Sequence, residues 1–438
     1  MALDIHFLQS EIIDQYLYDE NSTRPWIIGF SGGKDSTMLL QLVWSALKKI
    51  PAELRNREVY VVCNDTLVEN PKIVQFINQT LKSIQAEATI QGMPIQVHQT
   101  TPRLEDTFWV NLIGKGYPAP NNLFRWCTER LKITPTTRFI LDKVSEKGEA
   151  IILLGTRSDE SATRSRSMKK HEIYGQRLRK HILPNAYVYA PIKDVITDEV
   201  WQYLLQVNPP WGGTNRDLVT LYRNASGGDC PLVIDVTTPS CGTSRFGCWV
   251  CTVVKQDKSM AGLIDTGEDW MEPLVDFRDT LVETRDNPAY RQGIRKNGGE
   301  GPGPYNEFAR ALYLEKLLEA QKAINQVEPD VQLITHQELV AIQITWYRDS
   351  LFKYKVSDIY NKVYKSEMVM SKHDEKFRRE EELLKKSCND STKDFDLVQE
   401  LLALQKSKSL MVRKRGLQED IEKRIQDFLS TEKKEAKQ

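Results

Sequence analysis

"RPWIIGFSGGKDSTMLLQLVWSALKKI", residues 24–50, runs from a short apolar stretch through a glycine turn into a pattern of helical period. Strand, turn and helix in that order make half of a βαβ unit. The turn is also chemically specific. Gly32 and Gly33 let backbone N–H groups approach an anion closely, the helix start adds its dipole, and Ser31 and Ser36 add hydroxyls. A Walker A loop is excluded, because Gly33-Lys34 is followed by Asp35 and Ile28 stands where the first glycine is required. A Gly-Gly turn after a strand can be purely structural; the serines and acid around this one favour an anion site.

The same alternation continues outward. "EVYVVCND" and "NPKIVQFINQTLKSIQ" follow, then "PIQVHQTT", a helical stretch around "TERLKITPTTRFILDKV", and "AIILLGTR". Strands separated by amphipathic helices predict right-handed crossovers and an α/β doubly wound parallel sheet, with ligands at the C-terminal ends of the strands. In "PIKDVITDEVWQYLLQ" a turn leads into a helix that Thr197 or Asp198 would cap. From about Asn208 the chain is rich in Gly, Pro, Ser and Cys, and after Gln256 it becomes helical and highly charged. The expected organisation is a nucleotide domain over 1–207, a cysteine-rich segment over 208–256 and a charged helical C-terminal region over 257–438.

Composition narrows the class. The 438 residues exceed one ordinary core, and 60 Lys plus Arg balance 60 Asp plus Glu, so any basic surface must come from local clustering. No apolar run approaches the roughly 18 residues of a membrane span, and the first residues carry acids where a signal peptide carries bases. A cytoplasmic protein with no membrane partner is expected. Seven cysteines in such a chain suggest metal or cluster chemistry before disulfides. Cys230, Cys241, Cys248 and Cys251 form a C-x10-C-x6-C-x2-C pattern in a loop-rich stretch. Four thiolates suit Zn²⁺ or [4Fe–4S] equally. Cys127, in "FRWCTERLKITP", is flanked by Arg125, Arg130 and Lys132. That setting favours a thiolate nucleophile or persulfide carrier, although the same cations could serve an anionic ligand with the thiol incidental. Cys63, inside "VYVVCND", reads as a buried small hydrophobe.

Between residues 155 and 181, eight Lys or Arg face three acids, among them Arg164, Arg166, Lys169, Lys170, Arg177 and Arg179. Phosphate neutralisation makes this a candidate DNA surface, against the plain alternative of a solvated charged face. "KSKSLMVRKRG" at 406–416 is a smaller cluster of the same kind.

"SGGKDS" resembles the PP-loop of ATP pyrophosphatases, enzymes that hold the β,γ-pyrophosphate of ATP as a leaving group. "CNDTLVENP" is similar to the family's acidic segment after the second strand, which points to Asp65 near the nucleotide. "LLGTRSDESATR" resembles the G-x-R-x-x-E-S segment of the phosphosulfate reductase branch, bringing in Gly155 and Arg157. "PIKDVITDEVW" is similar to that branch's next element, with Val195 where tryptophan is usual. A PP-loop domain followed by four cysteines and a charged helical extension resembles the DndC family of DNA-phosphorothioation sulfurtransferases, with the SspD proteins as close relatives.

The resemblance implies ATP and Mg²⁺ on Ser31, Gly32, Gly33, Lys34, Asp35 and Ser36, with Asp35 as a carboxylate for the metal and Cys127 as a catalytic thiol. It implies a [4Fe–4S] cluster on the four cysteines, DNA as substrate, a cysteine desulfurase as sulfur donor and other phosphorothioation proteins as partners. The expected reaction is adenylation of a DNA phosphate followed by replacement of a non-bridging oxygen by sulfur. A reductase of phosphosulfate and a zinc-stapled nucleotide sensor that binds DNA are the alternatives.

Overall fold

The computed structural model describes residues 3–21, 23–160, 166, 168, 175–225, 247–254, 256–295, 299–348, 353–368, 379, 382–389, 391–409, 421–422 and 424–426. They form two compact units. The first comprises Met1–Phe108, Ala119–Val282 and Val327–Val331; the second comprises Trp109–Pro118, Glu283–Gln326 and Gln332–Gln438. This division departs from three successive segments. Of residues 208–256, the described ones (208–225, 247–254 and 256) group with the sheet, and ten residues from the first third of the chain group with the helices.

The first unit opens with helix α1 (Ile5–Leu17), capped by the Asp4 carboxylate, which accepts the Phe7 amide at 2.9 Å. It then alternates β1 (Trp26–Gly29), α2 (Lys34–Lys49), β2 (Val59–Asn64), α3 (Pro71–Ile90) and β3 (Ile95–Thr100). Helix α4 is a single turn, Trp126–Thr128; a π-helical turn, Glu129–Ile133, carries it into α5 (Thr134–Lys147), β4 (Ala150–Leu153), β5 (Leu178–Lys180) and β6 (Ala186–Tyr189). Helices α6 (Thr197–Gln206), α7 (Arg216–Ala225), α8 (Lys258–Asp265) and α9 (Glu272–Thr284) follow. The sheet order is β3-β2-β1-β4-β6-β5.

β1, β2, β3, β4 and β6 are parallel, as the alternating pattern requires, and β1, β2 and β4 are buried on both faces, whereas β3 at the edge is largely exposed along its middle. One face packs Trp26, Ile28 and Phe30 against α2 and α3; the other packs Ile27, Tyr60 and Ile152 against Phe139 and Ile140 of α5. The edge corrects the all-parallel expectation. β5 pairs antiparallel with β6 through Arg179↔Val188, and Asn185 takes a left-handed φ of 55° in the connection. A basic three-residue strand suits a sheet edge, where one face stays wet.

α6 also differs from expectation at its start. Neither Thr197 nor Asp198 caps it: Thr197 is its first residue, and the Asp159 carboxylate accepts the Thr197 amide at 3.0 Å. Glu199 accepts the Ile196 amide at 3.1 Å.

The second unit contains α10 (Glu307–Ile324), α11 (His336–Arg348), α12 (Val356–Tyr364) and α13 (Thr392–Ser409). At its centre lies a π-helical turn, Val110–Gly114, closed by Lys115 N–H donating to the Val110 carbonyl at 2.9 Å. The wider turn leaves carbonyls to be satisfied from outside. Arg310 of α10 donates to Ile113 and Gly114, and the Trp346 indole donates to Ile113 at 2.9 Å. The Trp109 indole N–H donates to the Leu333 carbonyl at 2.6 Å. Among the described residues no helix is long and apolar enough to cross a membrane.

Candidate functional site

The crossover direction reverses between β1 and β4, neighbours at the middle of the sheet. Open α/β sheets bind ligands at such a switch point, outside the strand C-termini. Two loops meet there: residues 30–33 after β1 and residues 154–157 after β4. Gly155 is what lets them touch. A Cβ on it would stand 2.9 Å from the Asp35 carbonyl group, so the second loop lies directly on the first turn of α2. Gly32 has a φ of +74°, and a Cβ there would meet Ile77 of α3 at 2.7 Å.

Within the turn, the hydroxyls bind the backbone. Ser36 Oγ donates to the Gly33 carbonyl at 3.0 Å and receives the Ser31 amide at 3.3 Å, with Ser31 Oγ 3.1 Å away. Gly33 occupies the N-cap of α2 and offers no side-chain acceptor to the helix. The Lys34 amide donates instead to the hydroxyl of Tyr222, on α7, at 3.2 Å. Tyr222 is a site residue that the sequence did not single out, since it lies 188 positions from Lys34.

Asp35 and Arg157 form one buried unit, 4% and 1% exposed. Arg157 Nε donates to Asp35 Oδ1 at 2.5 Å, and Lys34 Nζ lies 3.1 Å from Oδ2. The other guanidinium nitrogens reach the Val195 carbonyl at 3.1 Å and Thr197 Oγ1 at 3.2 Å. Asp35 therefore organises two cations, and a metal ion could reach it only by replacing one of them. Arg157 ties the loop after β4 to the start of α6. The departure from tryptophan at Val195 is accommodated here, because Arg157 uses that residue's carbonyl.

Asp65 sits at the C-terminal end of β2, on the edge that carries the glycine turn. Its carboxylate accepts the Leu67 amide at 2.8 Å and holds Leu67 at a left-handed φ of 63°. Burial pushes its carboxyl pKa up, with the Leu67 amide opposing and Glu69 adding to the rise.

The two described cysteines of the four-cysteine set dock on the same stretch. Glu69 and Cys248 form an antiparallel bridge, and Trp249 N–H donates to the Val68 carbonyl at 3.0 Å. Cys251 N–H donates to the Cys248 carbonyl at 3.1 Å, the tight turn expected of C-x-x-C. Cys248 Sγ lies 3.4 Å from Thr66 Oγ1 and 4.0 Å from Glu69 Oε1. Burial, then the Glu69 charge, pushes its thiol pKa far up, while Lys132 works the other way. Cys127, on α4, lies close enough to contribute to that rise. Thr66 and Glu69 were not signalled by any motif, although both fall inside "CNDTLVENP".

Cys230 and Cys241 lie outside the described residues, and among those described no group of three or more His, Cys, Asp or Glu could hold a metal ion. The described half of the set fits a four-thiolate shell: two sulfurs on one tight turn, one beside a hydroxyl able to donate to a thiolate. The cations flanking Cys127 have partners of their own. Arg125 bonds Asn122 at 2.8 Å, Arg130 pairs with Asp106, and Lys132 lies 3.8 Å from Glu69. Cys63 is buried as expected.

The basic segment is only partly placed. Arg164, Lys169 and Lys170 lie outside the described residues, and Arg166 is exposed. Arg179 stands on β5. Arg177 is committed to α1, bidentate to Glu11 at 2.8 Å through Nε and Nη2 and bonded to Asp14. Its role is to fasten the sheet edge to α1, which removes it as a freely offered phosphate contact.

A cavity of about 260 Å³ opens beside the glycine turn, bounded by Phe30, Thr37, Phe76, Thr80, Trp211 and Asp217 among others. Asp217 is the one charged residue of its lining, so the cavity itself is unsuited to an anion.

A family model described as the phosphoadenosine phosphosulfate reductase domain matches residues 25–254, just over half of the 438-residue chain. An uncharacterized protein of Methanocaldococcus jannaschii is 30% identical over 242 residues, covering 54% of this chain and 38% of that protein. The chain thus spans well under half the length of this curated relative. Among solved structures, a phosphoadenylyl-sulfate reductase from Candida auris in complex with phosphate is 12% identical, with a TM-score of 0.29 over 50% of this chain and 93% of that one. A mutant FMN adenylyltransferase from Candida glabrata is 14% identical, with a TM-score of 0.28 over 47% and 59% of the two chains. Likenesses this loose carry no argument about function.

Proposed function

The chain belongs to the phosphoadenosine phosphosulfate reductase domain family, a family of nucleotide-using enzymes, and from that premise we propose that it is an ATP-dependent DNA sulfurtransferase of the DndC type. One observation carries the reading. The glycine turn after β1, the cysteine turn docked after β2 and Cys127 of α4 belong to one compact unit; the first follows β1 and the second pairs with the segment that follows β2, its parallel neighbour. An anion cradle and a cluster of thiols on one edge suit a reaction that joins phosphate to sulfur.

ATP would lie with its β,γ-pyrophosphate against Ser31 to Ser36, the Lys34 ammonium and the start of α2. Asp35 is the carboxylate of the turn that would hold Mg²⁺, whose charge would neutralise the leaving group. A non-bridging oxygen of the DNA phosphate attacks the α-phosphorus; pyrophosphate departs, and DNA is left as a mixed anhydride with AMP. A persulfide on Cys127, loaded by a cysteine desulfurase, attacks the DNA phosphorus through its terminal sulfur. AMP leaves with the original oxygen. A second thiol then cleaves the sulfur–sulfur bond, leaving the thiophosphate on DNA and a protein disulfide for cellular thiols to reduce. Held by Cys230, Cys241, Cys248 and Cys251, a [4Fe–4S] cluster would supply labile sulfide and one-electron chemistry beside Cys127. DNA would approach over the basic segment, with Arg166 and Arg179 as its described contacts and Arg164, Lys169 and Lys170 as the remainder.

The test is anaerobically purified protein with ATP, DNA and a sulfur-loaded desulfurase. Pyrophosphate, AMP and thiophosphate-containing DNA should appear together; ADP and phosphate as the products would end the adenylation reading. The family match also favours a second reading, reduction of a phosphosulfate. Sulfite released from the sulfonucleotide without DNA would establish it.

A further inference from the structure

We infer that Tyr222 is a phosphate ligand of the glycine turn, donating its hydroxyl proton to the anion held at the start of α2. The inference deepens the proposed function and rests on its assignment of the turn to pyrophosphate. Three contacts support it. The hydroxyl oxygen receives the Lys34 amide at 3.2 Å, at the first residue of α2, where the helix N-terminus attracts negative charge. The Lys34 ammonium lies 5.3 Å from the centre of the same ring, so Tyr222 also orients the cation nearest the cradle. The ring itself is held edge-on against Trp201 of α6, with centroids 4.9 Å apart.

A phenol accepts from a helix amide only weakly compared with a phosphate oxygen. When phosphate arrives, the Lys34 amide turns to the stronger acceptor, and the hydroxyl beside it gives its own proton to the same anion. A tyrosine hydroxyl can make this exchange because it both accepts and donates; a phenylalanine ring in the same place can do neither. Gly33 brings no side chain to the helix start, and Ser36 is bonded to the Gly33 carbonyl. Tyr222 thereby adds a neutral donor to a cradle otherwise built from backbone, serines and Lys34.

The experiment is calorimetric titration of magnesium pyrophosphate into the anaerobically purified full chain, as wild type, Tyr222→Phe and Ser36→Ala. A hydrogen bond to a charged acceptor is worth a factor of about ten or more in affinity. Tyr222→Phe should therefore bind pyrophosphate about tenfold more weakly while keeping the wild-type circular dichroism and melting temperature. Trp201 emission, isolated by comparison with Trp201→Phe, should respond to pyrophosphate in the wild type and lose that response in Tyr222→Phe. Unchanged affinity in Tyr222→Phe, with Ser36→Ala weakened, overturns the role of Tyr222 and leaves the turn as the pyrophosphate site. Tighter binding in Tyr222→Phe also overturns it, by making the hydroxyl a competitor of phosphate. Wild-type protein that binds no pyrophosphate overturns both.

Discussion

Asp35 and Arg157 show that the glycine turn is held by buried charge. Each is nearly solvent-free, and removing Arg157 takes from the buried Asp35 one of the two cations it organises. Replacing Arg157 by leucine should lower stability in urea unfolding by about 3–5 kcal/mol. Adding Asp35→Asn to that variant should not restore the loss in full, because the buried Lys34 ammonium then loses the carboxylate it pairs with. The turn itself was legible in the sequence: Gly32 and Gly33 between an apolar run and a helical period announce a strand-to-helix turn by type and spacing. The partnership was not. Arg157 lies 122 positions from Asp35, and a basic residue in a motif reads as a ligand contact until the fold brings it against a carboxylate. The same limit hid Tyr222, an ordinary tyrosine in an amphipathic helix, and turned Arg177 from an expected DNA contact into a fastening for α1.

Elements were more legible than their ends. The apolar runs and helical periods of the first two hundred residues gave the strands and crossovers, because both sides of a parallel strand must be buried. The antiparallel β5 was missed because Leu178–Lys180, one leucine followed by two basic residues, is too short to show a strand period. The start of α6 was misplaced by one residue because its cap comes from Asp159, far away in sequence. That cap has a pH signature. The amide and hydroxyl of Thr197, and then the Arg157 charge, hold the Asp159 carboxyl below its ordinary range. A depressed folded pKa stabilises above the unfolded value of about 3.9 and loses that contribution as pH falls through the folded value. The melting temperature of the wild type should therefore drop more steeply below about pH 4 than that of Asp159→Asn. Equal slopes in the two proteins would show that the cap does not titrate with folding.

At the scale of the whole molecule, the chain does not follow the three successive blocks that its composition suggests. Composition marks where chemistry changes, whereas the compact units follow contacts, and residues 109–118 are apolar enough to suit either unit. Their placement rests on Arg310, which is 3% exposed and collects the carbonyls left by the π-helical turn. Arg310→Met should destabilise the helical unit by about 1–3 kcal/mol per carbonyl left unsatisfied, read as earlier loss of hydrogen-exchange protection in α10 and α11 than in the sheet. Uniform loss across both units would contradict it. The same turn has a consequence for synthesis. Trp109–Gly114 leaves the ribosome long before Arg310 and Trp346, which complete its bonding, and at ordinary elongation rates the wait from residue 118 to residue 348 is roughly 10 to 50 s. For that interval the nascent chain carries an apolar segment whose partners do not yet exist. The protein's yield in a cell should accordingly depend on translation speed and on chaperones that shelter the waiting segment, even where the finished fold is stable.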